Sequence, residues 1–424
     1  MTALLSVAEA RQHLLAAFRP GETEVIPLPQ AAGRVLSHQV SSQLDLPLFA
    51  NSSMDGFAVR AADIAAADPE RPVKLRVVDD IPAGQVSSIH LRPGEAVRIM
   101  TGAPLPDGAD AVVPVEDTDQ YRTEMVSGTQ IPEHVEIHRS VDSGAYVRPK
   151  GQDVSLGEVV LQQNTRLRPQ DVGFLAMLGI AEAPVYRRPR IGLLSTGDEL
   201  LPVEKSLQPG KIHDSNAYTL AALVDRDGGE AIKLGIAPDE EQAVREILDR
   251  SVDLGADLIL SSAGVSVGAF DFVKRVVEQQ GQLNFWRVNM RPGKPLTFGS
   301  YRGIPFIGLP GNPVSAFVGY EVFVRPALLK MSGLPDRPRP SIGVKLLESL
   351  ESDGRESYLR AIVNFRDGHW FARLTGHQGS GNLRSLVQAN ALLIIPAGVK
   401  SLPAGAETDC WLLGDIEVGY VSTE

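Results

Sequence analysis

Near its N-terminus the chain alternates apolar and polar positions with the period of an amphipathic helix. Four apolar residues share one face: Val7, Leu14, Leu15 and Phe18. Ser6 and Glu9 have the spacing of a capping box, which favours a helix start at this point. Glu9, Arg11 and His13 interrupt any apolar run. We therefore predict a helix of the mature protein and not a signal peptide.

Beyond this helix the pattern changes to short apolar runs bounded by Pro, Gly and Asp. Three runs predict strands: 75–78, 96–100 and 111–115. We expect residues 45–145 to form a small β-rich domain. Segments 1–44 and 146–188 flank it, and a helix start is predicted at 169–171. We expect the two segments to form one split domain that serves linking and dimerisation.

Strand-like and helix-like patterns alternate over residues 189–332. The predicted strands are 191–194, 231–234, 258–260 and 304–309. The predicted helices are 216–224, 239–250, 271–278 and 313–330. This alternation predicts a Rossmann-like, three-layer α/β domain with a largely parallel sheet.

A Pro-rich linker at 333–340 opens the last domain, residues 333–424. Its strand-like runs are 342–347, 358–365, 391–395 and 410–413. They predict a small β-barrel or sandwich. The predicted fold class is therefore multidomain α/β plus β.

Charge and cysteine content narrow the classes of partner. The net charge is −11, from 41 basic and 52 acidic residues, which suits neither nucleic acid nor an anionic membrane surface. No segment is long and apolar enough to predict a membrane span. Cys410 is the single cysteine, which excludes an intrachain disulfide and fits a reducing compartment. We expect a cytoplasmic protein.

Polar loops follow three of the predicted parallel strands, at 195–199, 261–268 and 310–313. Such loops meet at the carboxyl edge of a sheet, where ligands bind. The Gly/Ser loop 261–268 has the composition of an anion-binding backbone loop. A tight strand–helix connection explains the same glycines equally well. The chain has neither a Walker A motif nor G-x-G-x-x-G.

Charged residues near these loops are candidates for chemistry. Asp198, Glu199, Asp239 and Asp271 follow or adjoin strand ends. Carboxylates beside an anion are suited to holding Mg²⁺, although Asp239 and Asp271 also resemble helix caps. Lys294 lies between two prolines and can neutralise an anion, or it is an ordinary surface lysine.

One more segment, residues 51–58, is unusual for its Asp55-Gly56 pair. Asp-Gly is typical of a turn. If Asp55 is functional, it must reach the α/β domain through domain packing or from a second subunit, because it lies far earlier in the chain.

Seven segments together resemble the molybdopterin molybdenumtransferases, the bacterial MoeA proteins, which are similar to the C-terminal domain of gephyrin. They are SMDGFA (53–58), IMTGAP (99–104), GQD (151–153), STGDEL (195–200), SSAGVSVG (261–268), PGKP (292–295) and LPGNPVS (309–315). Each is weak alone, but seven in this order over nearly the whole chain are very specific. Ala263 stands where Gly is expected, and Arg291 where Lys is common.

The resemblance implies a four-domain, elongated homodimer that completes molybdenum cofactor assembly. Its substrates would be adenylyl-molybdopterin and molybdate, AMP would be released, and Mg²⁺ would be required. The cleft would involve the α/β domain, the terminal barrel and the partner's β domain. Other cofactor-biosynthesis proteins and apo-molybdoenzymes are implied partners.

The resemblance also implies roles for individual residues. Contacts to pterin and phosphates would come from Ser195, Thr196, Gly197, Asp198, Ser262, Gly264, Val265, Ser266, Gly268, Pro295, Pro310, Gly311, Asn312 and Pro313. Glu199, Asp239 and Asp271 would bind Mg²⁺ or activate pyrophosphate cleavage. Lys294, Arg360 and Ser380 would bind molybdate, Lys294 also acting in catalysis. Asp55 and Thr101 would come from the partner subunit, and Asp153 from the split domain.

Two other functions fit the same fold. A non-catalytic molybdopterin-binding scaffold is one, and the intact Glu199, Asp239, Asp271 and Lys294 argue against it. A tungstate-inserting paralogue is the other, and sequence does not separate two oxyanions of nearly equal size and charge.

Overall fold

The computed structural model describes residues 4–121, 131–262, 269–336 and 339–414, without the side chains of 269–271 and 285. The chain divides into two compact units. The large unit comprises Met1–His38, Asn164–Gly173 and Ala181–Glu424, and the small unit comprises Gln39–Gln163 and Phe174–Ile180. The finer boundaries of four domains stay a prediction.

A seven-stranded sheet forms the centre of the large unit. In chain order its strands are β1 (Leu4–Leu5), β2 (Arg190–Thr196), β3 (Glu230–Ala237), β4 (Leu258–Ser262), β5 (Gly281–Val288), β6 (Pro295–Tyr301) and β7 (Ile304–Leu309). Their spatial order is β1-β5-β6-β7-β4-β2-β3. The pairs β2–β3, β2–β4 and β4–β7 are parallel, as predicted, and the unpredicted strand β1 is parallel to β5.

The other two pairings, β5–β6 and β6–β7, are antiparallel. The sequence pattern did not predict β5 or β6. Because β6 runs against β7, β6 begins at the edge where β7 ends. Pro295 and the preceding Lys294 therefore reach the carboxyl edge of the parallel strands.

The described helices are α1 (Val7–Leu15), α2 (Pro169–Met177), α3 (Ser215–Arg226), α4 (Glu241–Asp253), α5 (Ala269–Gln280), α6 (Pro313–Gly319), α7 (Arg325–Met331) and α8 (Leu383–Gln388). A π-helical turn, Tyr320–Val324, joins α6 to α7. Short 3₁₀ helices occupy Leu28–Gln30, Ala61–Ile64 and Val115–Asp117. No helix in the described ranges is both long and apolar enough to cross a membrane.

The capping box predicted for α1 is confirmed. The amide nitrogen of Glu9 donates to Ser6 Oγ at 3.2 Å, and the amide nitrogen of Ser6 donates to the Glu9 carboxylate at 2.8 Å. These reciprocal bonds satisfy two amide groups that the first helical turn leaves open.

The sheet is covered on both faces because its strands alternate in the side they present. Leu193 and Leu260 pack with Leu14 of α1 and Leu220 of α3 on one face. Leu194 and Ile259 pack on the other face against α4 and α5, through residues such as Val244, Leu248 and Val276. This arrangement confirms the three-layer α/β fold.

The C-terminal region is a closed barrel, which settles the choice between barrel and sandwich. Its strands, in spatial order, are Glu356–Arg366, His369–Leu374, Ser341–Leu346, Glu407–Leu412 and Ala391–Ile395, and the last pairs with the first. The strand His369–Leu374 was not predicted. The short strand Met290–Arg291 pairs with Glu356–Arg366 and so fastens the segment before Lys294 to the barrel.

Three short strand pairs complete the large unit. They are Thr23–Pro27 with Glu182–Tyr186, Leu200–Leu201 with Ile212–His213, and Leu350–Glu351 with Ser401–Leu402.

The small unit contains a five-stranded sheet in the order Ala111–Pro114, Gly56–Val59, Glu95–Ile99, Val73–Ile81 and His134–Ile137. Two strand pairs accompany it: Asn51–Ser52 with Val147–Arg148, and Val40–Ser41 with Val159–Leu161. Gly56 begins a strand and does not form the simple turn that Asp-Gly suggested. A Cβ at Gly56 would lie 2.0 Å from the carbonyl oxygen of Val113, so only glycine permits this pairing.

Candidate active site

The carboxyl ends of the parallel strands open into a cleft of about 1120 Å³ within the large unit. Thr196 at the end of β2, Asp239 just after β3, Ser262 at the end of β4 and Pro310 after β7 all line it. Residues of the barrel region close the opposite side. The predicted convergence of these strand ends is therefore confirmed.

The floor of the cleft is made by buried hydroxyl groups. Ser195 Oγ and Ser262 Oγ lie 3.2 Å apart and join β2 to β4. Ser195 stands behind the cleft surface, whereas Thr196 and Ser262 line the cleft. Thr196 Oγ1 is buried and has no hydrogen-bond partner among the described residues. An unpaired buried hydroxyl is available to a ligand.

Gly197 allows the acidic side of the cleft to form. Its φ is +141°, and a Cβ there would lie 2.4 Å from a carboxylate oxygen of Glu199. The Glu199 carboxylate therefore folds over the bare backbone of Gly197. Glu199 lines the cleft as a result, whereas Gly197 and Asp198 do not.

Three carboxylates gather at this acidic side. The amide nitrogen of Asp239 donates to Asp198 Oδ1 at 3.1 Å. Partial burial, and then the negative charges of Asp198 and Glu199, raise the pKa of Asp239 above its ordinary value. Asp239 Oδ1 is buried without a hydrogen-bond partner in the described part of the chain.

The interpretation of Asp239 as a helix cap is wrong. Helix α4 begins at Glu241, and Glu240 occupies the capping position without a side-chain bond. Asp271 is not a cap either, because it lies inside α5, which begins at Ala269. Its side chain is outside the described part of the structure.

The donor set at the acidic side suits a divalent cation. Mg²⁺ prefers oxygen ligands and would neutralise the negative charges of these neighbouring carboxylates. Asp239 Oδ1, which has no described partner, is one available ligand atom. Among described side chains no group of three or more His, Cys, Asp or Glu is placed to hold a metal. Glu199 and Asp239 supply two carboxylates, and Asp271 is the predicted third.

The opposite side of the cleft is basic. Lys294, Arg291 and Arg355 line it, the first two before β6 and the third from the barrel region. The carboxylate of Asp353 contacts both guanidinium groups, at 3.8 Å from Arg291 and 2.5 Å from Arg355. Hydrogen bonding from Arg355 is the main cause of the lowered pKa of Asp353.

Arg360 lies just behind this basic side, in the barrel. It is 1% exposed, and it donates to Ser385 Oγ at 3.0 Å and to the carbonyl oxygen of Gly379 at 2.9 Å. Within the described ranges no carboxylate lies within 4.0 Å of it. Burial lowers the pKa of Arg360 to about 10, so it is charged at neutral pH. Gly379 and Ser380, not Arg360 itself, reach the cleft surface.

The loop after β7 connects the two sides. Pro310, Gly311, Asn312 and Pro313 line the cleft, as does Pro295. Asn312 Nδ2 donates to Ser380 Oγ at 2.9 Å, which joins the α/β core to the barrel.

Asn216 is a cleft residue that sequence analysis missed. Its Nδ2 donates to the carbonyl oxygen of Gly311 at 2.7 Å, and its Oδ1 is buried without a described partner. It lies in the first turn of α3, where Asp214 caps the helix by accepting from the amide nitrogen of Ala217 at 3.1 Å. The segment Asp214-Ser215-Asn216 follows a short strand, and that capping pattern was the available signal.

The remaining predicted residues fall in two groups. Gly264, Val265, Ser266 and Gly268 lie outside the described residues. Asp55, Thr101 and Asp153 belong to the small unit. There Asp55 Oδ1 accepts from the Thr101 amide nitrogen and hydroxyl, both at 2.7 Å, and Asp153 pairs with Arg148.

Comparisons with known proteins agree along the whole chain. Residues 5–179 match the MoeA N-terminal region (domains I and II), 192–330 a probable molybdopterin-binding domain, and 343–413 the MoeA C-terminal region (domain IV). Molybdopterin molybdenumtransferase 2 of Mycobacterium tuberculosis is 41% identical over 414 residues, covering 96% of this chain and 99% of that protein.

Two further similarities extend the comparison. The molybdopterin molybdenumtransferase of Nostoc is 39% identical, covering 91% of this chain and 88% of the relative. The crystal structure of the molybdopterin biosynthesis protein MoeA from Pyrococcus horikoshii superposes with a TM-score of 0.80 at 32% identity, covering 97% of this chain and 100% of that one. The chain therefore belongs to the molybdopterin molybdenumtransferase (MoeA) family.

Proposed function

We propose that this protein is a molybdopterin molybdenumtransferase. It inserts molybdate into adenylyl-molybdopterin and releases AMP, giving molybdenum-molybdopterin. Full-length similarity to relatives that carry this name supports the proposal.

The observation that carries the proposal is the division of the cleft into an acidic side and a basic side. Glu199 and Asp239 stand on one side, and Lys294, Arg291 and Arg355 on the other. The reaction brings a tetrahedral dianion to a substrate that is already anionic. A basic side offsets that repulsion, and an acidic side is useful beside phosphates only if it holds a cation.

Mg²⁺ would be held by Glu199 and Asp239, with Asp271 as the third proposed ligand. When bound, the ion would neutralise charge on the pyrophosphate of the substrate. The chain itself positions these carboxylates. Asp198 accepts a hydrogen bond from the amide nitrogen of Asp239, and the missing side chain of Gly197 leaves room for the Glu199 carboxylate. Molybdate would bind near Lys294, Ser380 and Arg360, where a guanidinium without a carboxylate partner supplies positive charge.

The pterin and the phosphates would lie along the strand edge, against Thr196, Ser262 and residues 310–313. Asn216 would add an acceptor for an N–H group of the substrate, since its own N–H is committed to Gly311. We also propose a cytoplasmic homodimer, in which Asp55 and Thr101 of the partner and Asp153 of the split domain complete the site. Other cofactor-biosynthesis proteins and apo-molybdoenzymes would be its partners.

The test is AMP release from adenylyl-molybdopterin by the purified protein with Mg²⁺, with and without molybdate. We expect molybdate-dependent release by the wild type and a loss of at least about 100-fold in Glu199→Gln, the size typical of a lost electrostatic group. Glu246→Gln is the matched control, because Glu246 is an exposed carboxylate on α4.

Substrate binding without AMP release under any condition would overturn the transferase and leave a molybdopterin-binding scaffold. Release that depends on tungstate and not on molybdate would identify a tungstate-inserting enzyme.

A further inference from the structure

A second cavity, of about 460 Å³, lies in the large unit beside the amino ends of β2 and β3. This edge of the sheet is opposite the edge that carries the cleft. Five arginines and one carboxylate line the cavity: Arg34, Arg166, Arg187, Arg188, Arg226 and Asp225. The whole chain has a net charge of −11, so the cavity locally reverses the sign of the protein's charge.

Two of these arginines are held by neutral groups. Arg166 Nη2 donates to the carbonyl oxygen of Asp227 at 3.1 Å. Arg188 donates from Nε to the carbonyl oxygen of Gly228 at 3.3 Å, and from Nη2 to that of Gly229. Carbonyl oxygens of one three-residue turn thus gather two guanidinium groups.

Neither guanidinium has a carboxylate in hydrogen-bonding contact. Across the described ranges, no carboxylate oxygen lies within 4.0 Å of Arg166. For Arg188, an Asp225 carboxylate oxygen lies 3.9 Å from Nη2, which is beyond hydrogen-bond distance. The other three arginines do have acidic partners, and those partners do not line the cavity: Glu22, Glu24, Asp227, Asp257 and Glu321. Each guanidinium carries five N–H donors, so Arg166 and Arg188 retain several that these carbonyls do not use.

The two glycines shape the turn itself. Gly228 has a φ of +97°, a left-handed conformation that favours glycine. A Cβ at Gly229 would lie 2.7 Å from Val224 Cγ1, so the close packing of the turn against α3 also requires glycine. The conformation that presents the three carbonyl oxygens therefore depends on this glycine pair.

A buried hydroxyl gives independent support. Ser332 follows α7, lines the same cavity and is 5% exposed. Its Oγ has no hydrogen-bond partner among the described residues. Buried polar groups are normally paired, so this hydroxyl lacks a partner that a ligand oxygen would supply.

We propose that the arginine cavity is a second anion site that binds a small phosphate-bearing anion of about the size of pyrophosphate. Planar guanidinium groups pair bidentately with phosphate oxygens, and several converge here around a space large enough for two phosphate groups. The site does not depend on the transferase proposal, because it shares no lining residue with the cleft.

The experiment is calorimetric titration of the full chain with inorganic pyrophosphate, in buffer with a chelator that removes divalent cations. Four proteins are compared: wild type, Arg166→Gln/Arg188→Gln, the cleft variant Lys294→Gln, and Arg373→Gln, which removes an exposed arginine of the barrel. We expect Lys294→Gln and Arg373→Gln to bind pyrophosphate at the arginine cavity as the wild type does. In the double variant the affinity of this binding event should fall at least about tenfold. A parallel titration with ADP distinguishes free pyrophosphate from the phosphates of a nucleotide.

The same affinity in the double variant and the wild type would overturn the proposal, as would loss of all binding in Lys294→Gln alone. If circular dichroism shows that the double variant is unfolded, the single variant Arg188→Gln takes its place in the test. Its side chain is 44% exposed, so the substitution should leave the fold intact. Arg188→Lys keeps the charge and should retain more affinity than Arg188→Gln, a difference that a purely structural role would not produce.

Discussion

The carboxylate of Asp198 accepts a hydrogen bond from the amide nitrogen of Asp239, at 3.1 Å. This bond ties the loop after β2 to the loop after β3. It also brings a second negative charge to the neighbourhood of Asp239, whose pKa is raised by burial and by Asp198 and Glu199. The carboxylates on the acidic side of the cleft therefore repel one another. Such repulsion is typical of sites that bind cations or perform chemistry.

Replacing Asp239 by Asn should separate function from stability. The amide keeps the shape and removes one of three neighbouring negative charges, so the melting temperature should stay the same or rise by a few degrees. AMP release should fall by at least about 100-fold. Differential scanning calorimetry and the AMP assay measure the two effects.

Asp253→Asn, at an exposed position of α4, is the control and should change neither quantity. A melting temperature several degrees lower in Asp239→Asn would contradict the repulsion argument.

Gly197→Ala should displace Glu199. The new Cβ would overlap a Glu199 carboxylate oxygen, and φ of +141° is unfavourable for alanine, at a cost of about 1–3 kcal/mol in the free energy of unfolding. We expect loss of both stability and AMP release, measured by urea unfolding and by the enzymatic assay.

The matched control for this substitution is Gly343→Ala, because a Cβ at Gly343 meets no atom within 4 Å and its backbone is not in the left-handed region. Equal effects at the two positions would show that the Gly197 conformation is unimportant.

Asn312 and Ser380 should be energetically coupled. Their side chains make a 2.9 Å hydrogen bond between the loop after β7 and the barrel. Asn312→Ala and Ser380→Ala should each destabilise the protein, and the double variant should cost about 1 kcal/mol less than the sum. A double-mutant cycle of urea unfolding measures this coupling.

The pair Asn390 and Val363 offers a comparison inside the barrel, where Asn390 Nδ2 donates to the Val363 carbonyl oxygen at 2.9 Å. Asn390→Ala should not be coupled to Ser380→Ala. Strict additivity at Asn312 and Ser380 would exclude the proposed linkage.

Cys410 should react slowly with thiol reagents in the folded protein. Burial, and then the charge of Asp409, raises the pKa of its thiol to about 12. Since the thiolate is the reactive form, raising the pH from 7 to 9 should leave labelling slow, whereas a free cysteine with a pKa of about 8.5 would become largely ionised. Labelling with a chromogenic disulfide, with and without urea, provides the measurement.

In urea the single thiol should react fully and rapidly at pH 9. Rapid labelling of the native protein at that pH would show that the barrel opens readily or that the thiol is accessible.

Local sequence was enough to place α1, the parallel strands β2, β3, β4 and β7, and the helices that follow them. The capping box at Ser6 and Glu9 begins α1, and the strand 304–309 has the bounds that its apolar run predicts. The capping box and the apolar run each depend only on residues that are close in sequence, so they can be recognised without knowledge of the tertiary contacts. The strands β5 and β6 did not show such signals. Strand β6 is placed by antiparallel pairing with β7 and β5, and β5 by pairing with β6 and β1, all of which are contacts outside the local sequence.

The sequence by itself determined which chemical groups follow each strand: hydroxyls and carboxylates after β2, a carboxylate after β3, and a Pro-Gly-Asn-Pro loop after β7. Tertiary structure alone decided how they act together. In the folded chain Asp239 is not a helix cap but lies beside the carboxylates of Asp198 and Glu199. Asn216 donates to the carbonyl oxygen of Gly311, and Arg166 and Arg188 both donate to carbonyl oxygens of one turn. The physical reason is that charge repulsion, burial and hydrogen-bond pairing depend on distances between residues far apart in the chain, and only the folded backbone sets those distances.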